Sequence, residues 1–390
     1  MRVRHISVTG LFGVYNHEIP LQEEGRITII HGMNGIGKTI VLRMIAEALT
    51  GKYDVLLNVP YERVELRLED GSLLRVSNAG PGTGARLVHH PVVVHILADG
   101  TKEAVNYYMH GNDFAPEAPW LDVLRSAMSV QLVETGRLQT RPFVIEPGPR
   151  DDAAERLAVS VQEYSQDIHL RIEQRQFAYY KTWSQLAQSF PARILSKNGV
   201  APFSPDELRK RLMDLGRRHD MLSSFGIEPP AEVILDVSED TDKPTLKTLS
   251  IYVRDMATAL AVFDELIARI TMLTELVNSR FRNKRLAVRL ERGFVISDRN
   301  GAEIPVTALS SGEQHELVMV YDLLFRTRPD TLVLIDEPEI SLDILWQQEF
   351  IDDLSKIVEL TSVDILIATH SPDVAGRHWG WTVALTGPAE

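Results

Sequence analysis

The chain has 390 residues, 44% of them hydrophobic and 24% charged, with a formal net charge of −13. That length can bury one large core or two moderate ones, and no apolar run approaches the ~18–20 residues a membrane helix needs. The absence of cysteine excludes disulfides, thiolate zinc sites, cysteine nucleophiles and iron–sulfur clusters, and the acidic balance argues against non-specific coating of nucleic acid. Met1 to Gly13 lacks the apolar stretch of a signal peptide, so a cytoplasmic protein is expected.

Val3–Val8 and Glu18–Leu21 are predicted as edge strands of an antiparallel layer. Ile27-Thr28-Ile29-Ile30 is an apolar, β-branched run that predicts a buried strand. It leads directly into Gly32-Met33-Asn34-Gly35-Ile36-Gly37-Lys38-Thr39, which fits G-x-x-x-x-G-K-[ST]. Val41, Leu42, Ile45, Ala48 and Leu49 then recur at helical spacing, and Gly51 is placed as the stop. Strand, glycine-rich loop and helix is the context in which this motif binds phosphate. The glycines (Gly32, Gly35, Gly37) and Asn34 let backbone N–H groups close around a β-phosphate. Lys38 reaches the β- and γ-phosphates, and the Thr39 hydroxyl is a ligand for Mg²⁺. Val64–Leu68 and Leu73–Val76 alternate around Asp70-Gly71, a hairpin signal, and Pro91–Leu97 predicts a further strand.

From about residue 151 to 283 the pattern becomes helical. Ser204-Pro205-Asp206-Glu207 is a helix start, with Ser204 as N-cap and Glu207 three residues on. Thr248 to Arg282 is predicted as one helix of roughly 35 residues, about 50 Å long. Pro191, Gly199–Pro205, Pro229-Pro230 and Lys243-Pro244 are predicted breaks between helices. Leu286 to Val306 returns as a hairpin turning at Asn300-Gly301. Two basic clusters lie here: Arg209, Lys210, Arg211, Arg217 and Arg218; and Arg280, Arg282, Lys284, Arg285, Arg289 and Arg292. They read either as a track for a DNA backbone or as solvated faces balanced by acids.

Thr331-Leu332-Val333-Leu334-Ile335 ends in Asp336-Glu337, a buried parallel strand that delivers two carboxylates at its carboxyl end. Asp336 is the candidate metal ligand, and Glu337 the general base for an attacking water. A third apolar run, Val363 to Ala368, leads to His370, which is placed to sense a γ-phosphate.

Together with Leu309-Ser310-Ser311-Gly312-Glu313-Gln314 and Ser341-Leu342-Asp343, these motifs resemble ABC-type ATPase heads. The likeness is to the non-transporter branch that includes the RecF, SMC and OLD ATPases, over residues 1 to about 140 and about 284 to 390. It implies an α/β P-loop head, a parallel core sheet plus an antiparallel β layer, with an inserted helical arm. Residues 1–145 and 284–390 are then the two ATPase lobes, and 146–283 the arm. It also implies ATP and Mg²⁺ as ligands and a head-to-head dimer of the chain. In that dimer Ser310 and Gly312 contact the γ-phosphate held by the other subunit's phosphate loop, and Asp343 couples the two sites. The family's glutamine, at the end of a strand between the phosphate loop and the helical region, has no unique counterpart here: Gly136 stands at the expected position, with Gln131 and Gln139 on either side.

With 20 residues after His370 and no nuclease signature, the resemblance points to standalone ATPase subunits of anti-phage defence modules that control a separate effector. The other readings are a RecF-like DNA-repair ATPase, a slow-turnover ATP-binding scaffold and, least favoured, the ATP-binding subunit of a membrane transporter.

Overall fold

The computed structural model describes residues 1–51, 54–78, 91–106, 118–134, 153–196, 201–227, 237–340, 342 and 344–387. The chain divides into two compact units, one of residues 1–153 with 321–390, the other of residues 154–320.

The first unit opens with β1 (Val3–Leu11), β2 (Tyr15–Pro20), β3 (Ile27–His31), α1 (Lys38–Thr50) and the single turn α2 (Val55–Asn58). β4 (Arg63–Leu68), β5 (Leu73–Asn78), β6 (Pro91–Ile96), β7 (Lys102–Asn106), α3 (Pro119–Ala127) and β8 (Val130–Glu134) follow. The second unit holds α4 (Ala153–Leu195), α5 (Pro205–Ser224), α6 (Lys243–Leu260), α7 (Asp264–Arg280), β9 (Lys284–Arg289), β10 (Gly293–Asp298), β11 (Glu303–Ile304) and most of α8 (Ser311–Tyr321). The chain then re-enters the first unit through β12 (Leu332–Asp336), α9 (Ile344–Thr361), β13 (Asp364–Thr369), the turn α10 (Pro372–Ala375) and β14 (Thr382–Ala384).

Two sheets build the first unit. One is antiparallel, in the order β2-β1-β4-β5-β6-β7. β1 therefore lies inside the sheet between β2 and β4, and of the two predicted edge strands only β2 is an edge. The other sheet is parallel, in the order β14-β3-β13-β12-β8. Its central strands are buried nearly throughout, as apolar runs covered on both faces must be. α1 shares one core with both sheets: Val41, Leu42, Ile45, Ala48 and Leu49 pack with Ile6 and Val8 of β1, Leu66 of β4, Leu334 of β12 and Leu366 of β13. Gly51 ends the helix in the left-handed region, φ 81°, as predicted.

In the second unit the helices differ from expectation at two points. α4 runs through Pro191 instead of ending there. Proline leaves the carbonyl four residues back unbonded, but Ala187 and Pro191 are both exposed, so water can serve that carbonyl. The predicted 35-residue helix is two helices joined by a 3₁₀ turn at Ala261–Phe263. Phe263 is fully buried there and its ring lies 5.7 Å from that of Tyr179. Ser204 caps α5 as predicted, accepting the Glu207 N–H at 3.2 Å. The predicted hairpin is a three-stranded antiparallel sheet, β11-β10-β9.

Candidate functional site

The carboxyl ends of the parallel strands gather the site. β3 delivers His31 and the phosphate loop, in register with Thr369 of β13; Asp336 of β12 is in register with Ala368 on one side and Glu134 of β8 on the other. Four strands thus end at one edge of one sheet, the edge at which parallel α/β sheets take ligands.

The loop itself is shaped by glycine. Gly37 precedes α1 at φ 96°, and a Cβ there would lie 2.6 Å from Leu11 Cδ2, so both the turn and the contact with β1 require glycine. The Lys38 side chain is buried, its ammonium donating to the carbonyls of Gly32 at 2.8 Å and Met33 at 3.2 Å. Burial pulls its pKa down, while Glu337, Glu339 and Asp336 oppose that shift. From β2, His17 Nε2 lies 3.1 Å from the Ile36 carbonyl. Its buried ring stacks on Tyr15, and burial pushes its pKa down despite that backbone contact.

Thr39 Oγ1 donates to Asp336 Oδ1 at 3.1 Å. This brings together the two residues the sequence assigns to Mg²⁺. Among the described residues no group of three His, Asp or Glu side chains could hold a metal alone. The Thr39 hydroxyl and the Asp336 carboxylate are hard oxygen donors of the kind Mg²⁺ takes, with water and phosphate completing its shell. Gly35 also sits in the left-handed region, φ 84°, with nothing within 4 Å of where a Cβ would lie. The residues present fit Mg²⁺ and a nucleotide.

Glu337 follows Asp336 with φ 48°, a left-handed conformation costly for glutamate. Its N–H donates to the Ala368 carbonyl at 2.8 Å, and its Oε1 lies 2.6 Å from His370 Nε2. The candidate base and the candidate sensor therefore touch. Sequence reasoning passed over Glu339, whose carboxylate binds Thr369 and His370 at the end of β13. Its only sequence signal is a second glutamate just past Pro338; its partners lie 30 residues away.

The predicted signature lies in the second unit. Ser310 and Glu313 form a reciprocal capping box at the start of α8: the Ser310 N–H donates to Glu313 Oε2 at 2.6 Å, and the Glu313 N–H to Ser310 Oγ at 3.3 Å. Lys284 of β9 pairs with the same carboxylate at 2.7 Å and donates to the Ala308 carbonyl at 2.8 Å. Burial pushes the Glu313 carboxyl up, but Lys284 and Ser310 together hold it below the ordinary glutamate value. Gly312 lies in the first turn of α8.

Gln131 is in register with Val333, three residues before Glu134, or about 10 Å from the strand end at 3.3 Å per residue. It is not at the site's edge. Gly136, Gln139, Ser341 and Asp343 lie outside the described residues.

Much of the arm's basic charge is engaged locally. Arg209 pairs with Asp206, Arg211 with Glu207, Arg217 with Asp214 and Arg218 with Asp264. In the second cluster Lys284 pairs with Glu313, Arg292 pairs with Glu303 and Arg289 donates to the Ser224 carbonyl. Among the described residues no helix is long and apolar enough to cross a membrane.

Fold and site define the class: an ATPase head of the ABC/AAA type, with a P-loop strand–loop–helix in a parallel sheet and an antiparallel layer beside it. Residues 169–375 match the family described as "AAA domain, putative AbiEii toxin, Type IV TA system". That stretch is more than half of the chain, and the chain belongs to this family. The matched residues include the predicted signature, Asp336, Glu337 and His370, and begin after Gly32–Thr39. No curated protein matches the chain. Among solved structures, it is similar to the Smc head domain with an extended coiled coil bound to the C-terminal domain of ScpA, from Pyrococcus furiosus. The identity there is 16% and the TM-score 0.40, over 96% of this chain and 90% of that one. It is likewise similar to the SMC head domain from Thermotoga maritima, at 13% identity and TM-score 0.39 over 100% of both chains.

Proposed function

We infer that the chain hydrolyses ATP to ADP and phosphate as a pair of heads, and that the nucleotide state controls a separate effector protein. The observation that carries the ATPase reading is the meeting of Thr39 with Asp336 at 3.1 Å and of Glu337 with His370 at 2.6 Å, at the strand edge that also holds Lys38. Thr39 and Asp336 would hold Mg²⁺, which supplies charge neutralisation at the phosphates. Lys38 exchanges its loop carbonyls for phosphate oxygens. Glu337 takes a proton from the attacking water as the water oxygen bonds to the γ-phosphorus, and the bond to the bridging oxygen breaks with release of ADP. His370 donates to the γ-phosphate, so its partner changes with nucleotide state. Ser310 and Gly312, at the N-terminus of α8, complete the partner's site, where a helix start favours anions. Asp343 couples the two sites.

The family description, which refers to a toxin and a type IV TA system, favours an ATPase or sensor subunit of a prokaryotic anti-phage defence system over a repair factor. Glu337→Gln tests the ATPase part. With Mg-ATP it should bind nucleotide, fail to turn over and elute as a dimer in size-exclusion chromatography with light scattering. A monomer at saturating ATP refutes pairing. For the defence role, the chain expressed with its gene neighbours should restrict phage, and Glu337→Gln should abolish that restriction. A RecF-like, DNA-binding reading is supported by Arg282 and Arg285, which are exposed. ATP-dependent duplex binding near physiological salt, lost in Arg282→Ala/Arg285→Ala, would favour it.

A further inference from the structure

The turn after β12 and the end of β13 are tied at four points. The Glu337 N–H donates to the Ala368 carbonyl at 2.8 Å, and the Glu337 carboxylate meets His370 Nε2 at 2.6 Å. Glu339 Oε2 accepts from the Thr369 hydroxyl at 2.8 Å, and Glu339 Oε1 accepts from the His370 backbone N–H at 2.8 Å. The Thr369 hydroxyl in turn accepts the Ser371 N–H at 2.9 Å. From α9, Gln347 donates to the Glu339 carbonyl at 3.3 Å and accepts from the Ser371 hydroxyl at 2.8 Å.

The His370 side chain is 38% exposed, so packing constrains its ring less than that of a buried residue. Its direction is set by its backbone anchor and by Glu337. Both anchors come from one short acidic turn, one carboxylate holding the imidazole and the other the peptide N–H of the same residue. An N–H just beyond a strand end could be served by water. Here it is held by a carboxylate whose second oxygen binds the neighbouring hydroxyl, an arrangement that fixes direction as well as satisfying a donor.

We propose that Glu339 is a positioning residue for His370: it fixes the main chain of residues 369–371 so that the imidazole tracks the Glu337 carboxylate. The inference rests on the reading of Glu337 and His370 as ATPase residues. In this role Glu339 acts through His370, whose backbone N–H it holds. Residues that act as one unit are non-additive, and that property separates positioning from a general structural role.

The test compares wild type, Glu339→Ala, His370→Ala, the double variant and Glu339→Gln. Glu339→Ala should lower kcat by roughly 10- to 100-fold, since small misplacements at a reacting centre have that effect, with the Kd for ATP within about 3-fold. The double variant should be no slower than His370→Ala beyond about 2-fold. Glu339→Gln, whose side-chain oxygen still accepts from the His370 N–H, should recover most of the rate. Independently of turnover, the imidazole Hε1 resonance of His370, identified by its loss in His370→Ala, should shift in Glu339→Ala. If Glu339→Ala does not fold, Thr369→Val, which removes one leg of the brace, should shift the same resonance. Rate losses that multiply in the double variant, or an unmoved resonance, overturn the proposal. A His370→Ala protein as fast as wild type refutes the ATPase role of His370 instead, and the resonance still decides the role of Glu339.

Discussion

At the start of α8, Glu313 reaches back three residues to the N–H of Ser310; at the end of β13, the N–H of His370 is held by Glu339, 31 residues earlier in the chain. Both carboxylates satisfy a backbone donor beside a residue read as touching nucleotide. The first brace is nearly all local, with Lys284 as a distant support. It forms when the helix forms and costs little extra ordering. The second exists only once β12 and β13 are paired in register, so it depends on the whole parallel sheet. The signature end should therefore behave as a question of helix stability, and the switch end as a question of geometry.

The largest expected effect lies at the switch end. Glu337→Gln should lower single-turnover phosphate release by roughly 100- to 10,000-fold, the range for a lost general base, while calorimetry shows ATP binding retained. The direct contrast comes next. Glu339→Ala should change turnover far more than stability, whereas Glu313→Ala should cost about 1–2 kcal/mol of stability by urea denaturation, the loss of a cap and a charge-assisted bond. Equal effects of the two variants on turnover and on stability would erase the distinction. Smaller still, Glu313→Gln keeps the capping geometry and loses only the carboxylate charge that faces Lys284, so it should cost below about 1 kcal/mol.

The subtlest test is pH. The Glu313 carboxyl is held below its ordinary value of 4.5. Its contribution to stability is therefore fully present above that value and lost as pH falls through the lower folded value. Between neutral pH and pH 3, wild type should lose more stability than Glu313→Gln, read as the difference in urea midpoints.

Much of the site was legible because its signals are local. Gly32 to Thr39 between a β-branched run and an amphipathic helix predicted the loop and α1. The apolar runs ending at Asp336 and before His370 predicted β12 and β13, since strands buried on both faces must be apolar throughout. Ser310 and Glu313 also carry the S-x-x-E spacing of a capping box. Less was legible where packing decided. α4 continues through Pro191 because that turn faces solvent, and the long predicted helix breaks where Phe263 is buried near Tyr179. Gln131 is the right residue type in a strand whose register sets it back from the edge.

By itself the sequence determined which segments form the phosphate loop, the carboxylate strand and the signature helix, because residues within a few positions of one another set backbone conformation, capping and burial pattern. Only the tertiary structure decided which side chains meet. The approach of Thr39 to Asp336, the pairing of Glu337 with His370 and the anchoring of His370 by Glu339 all depend on the order and register of parallel strands. That order is fixed by the shared core around α1, and no local spacing encodes it.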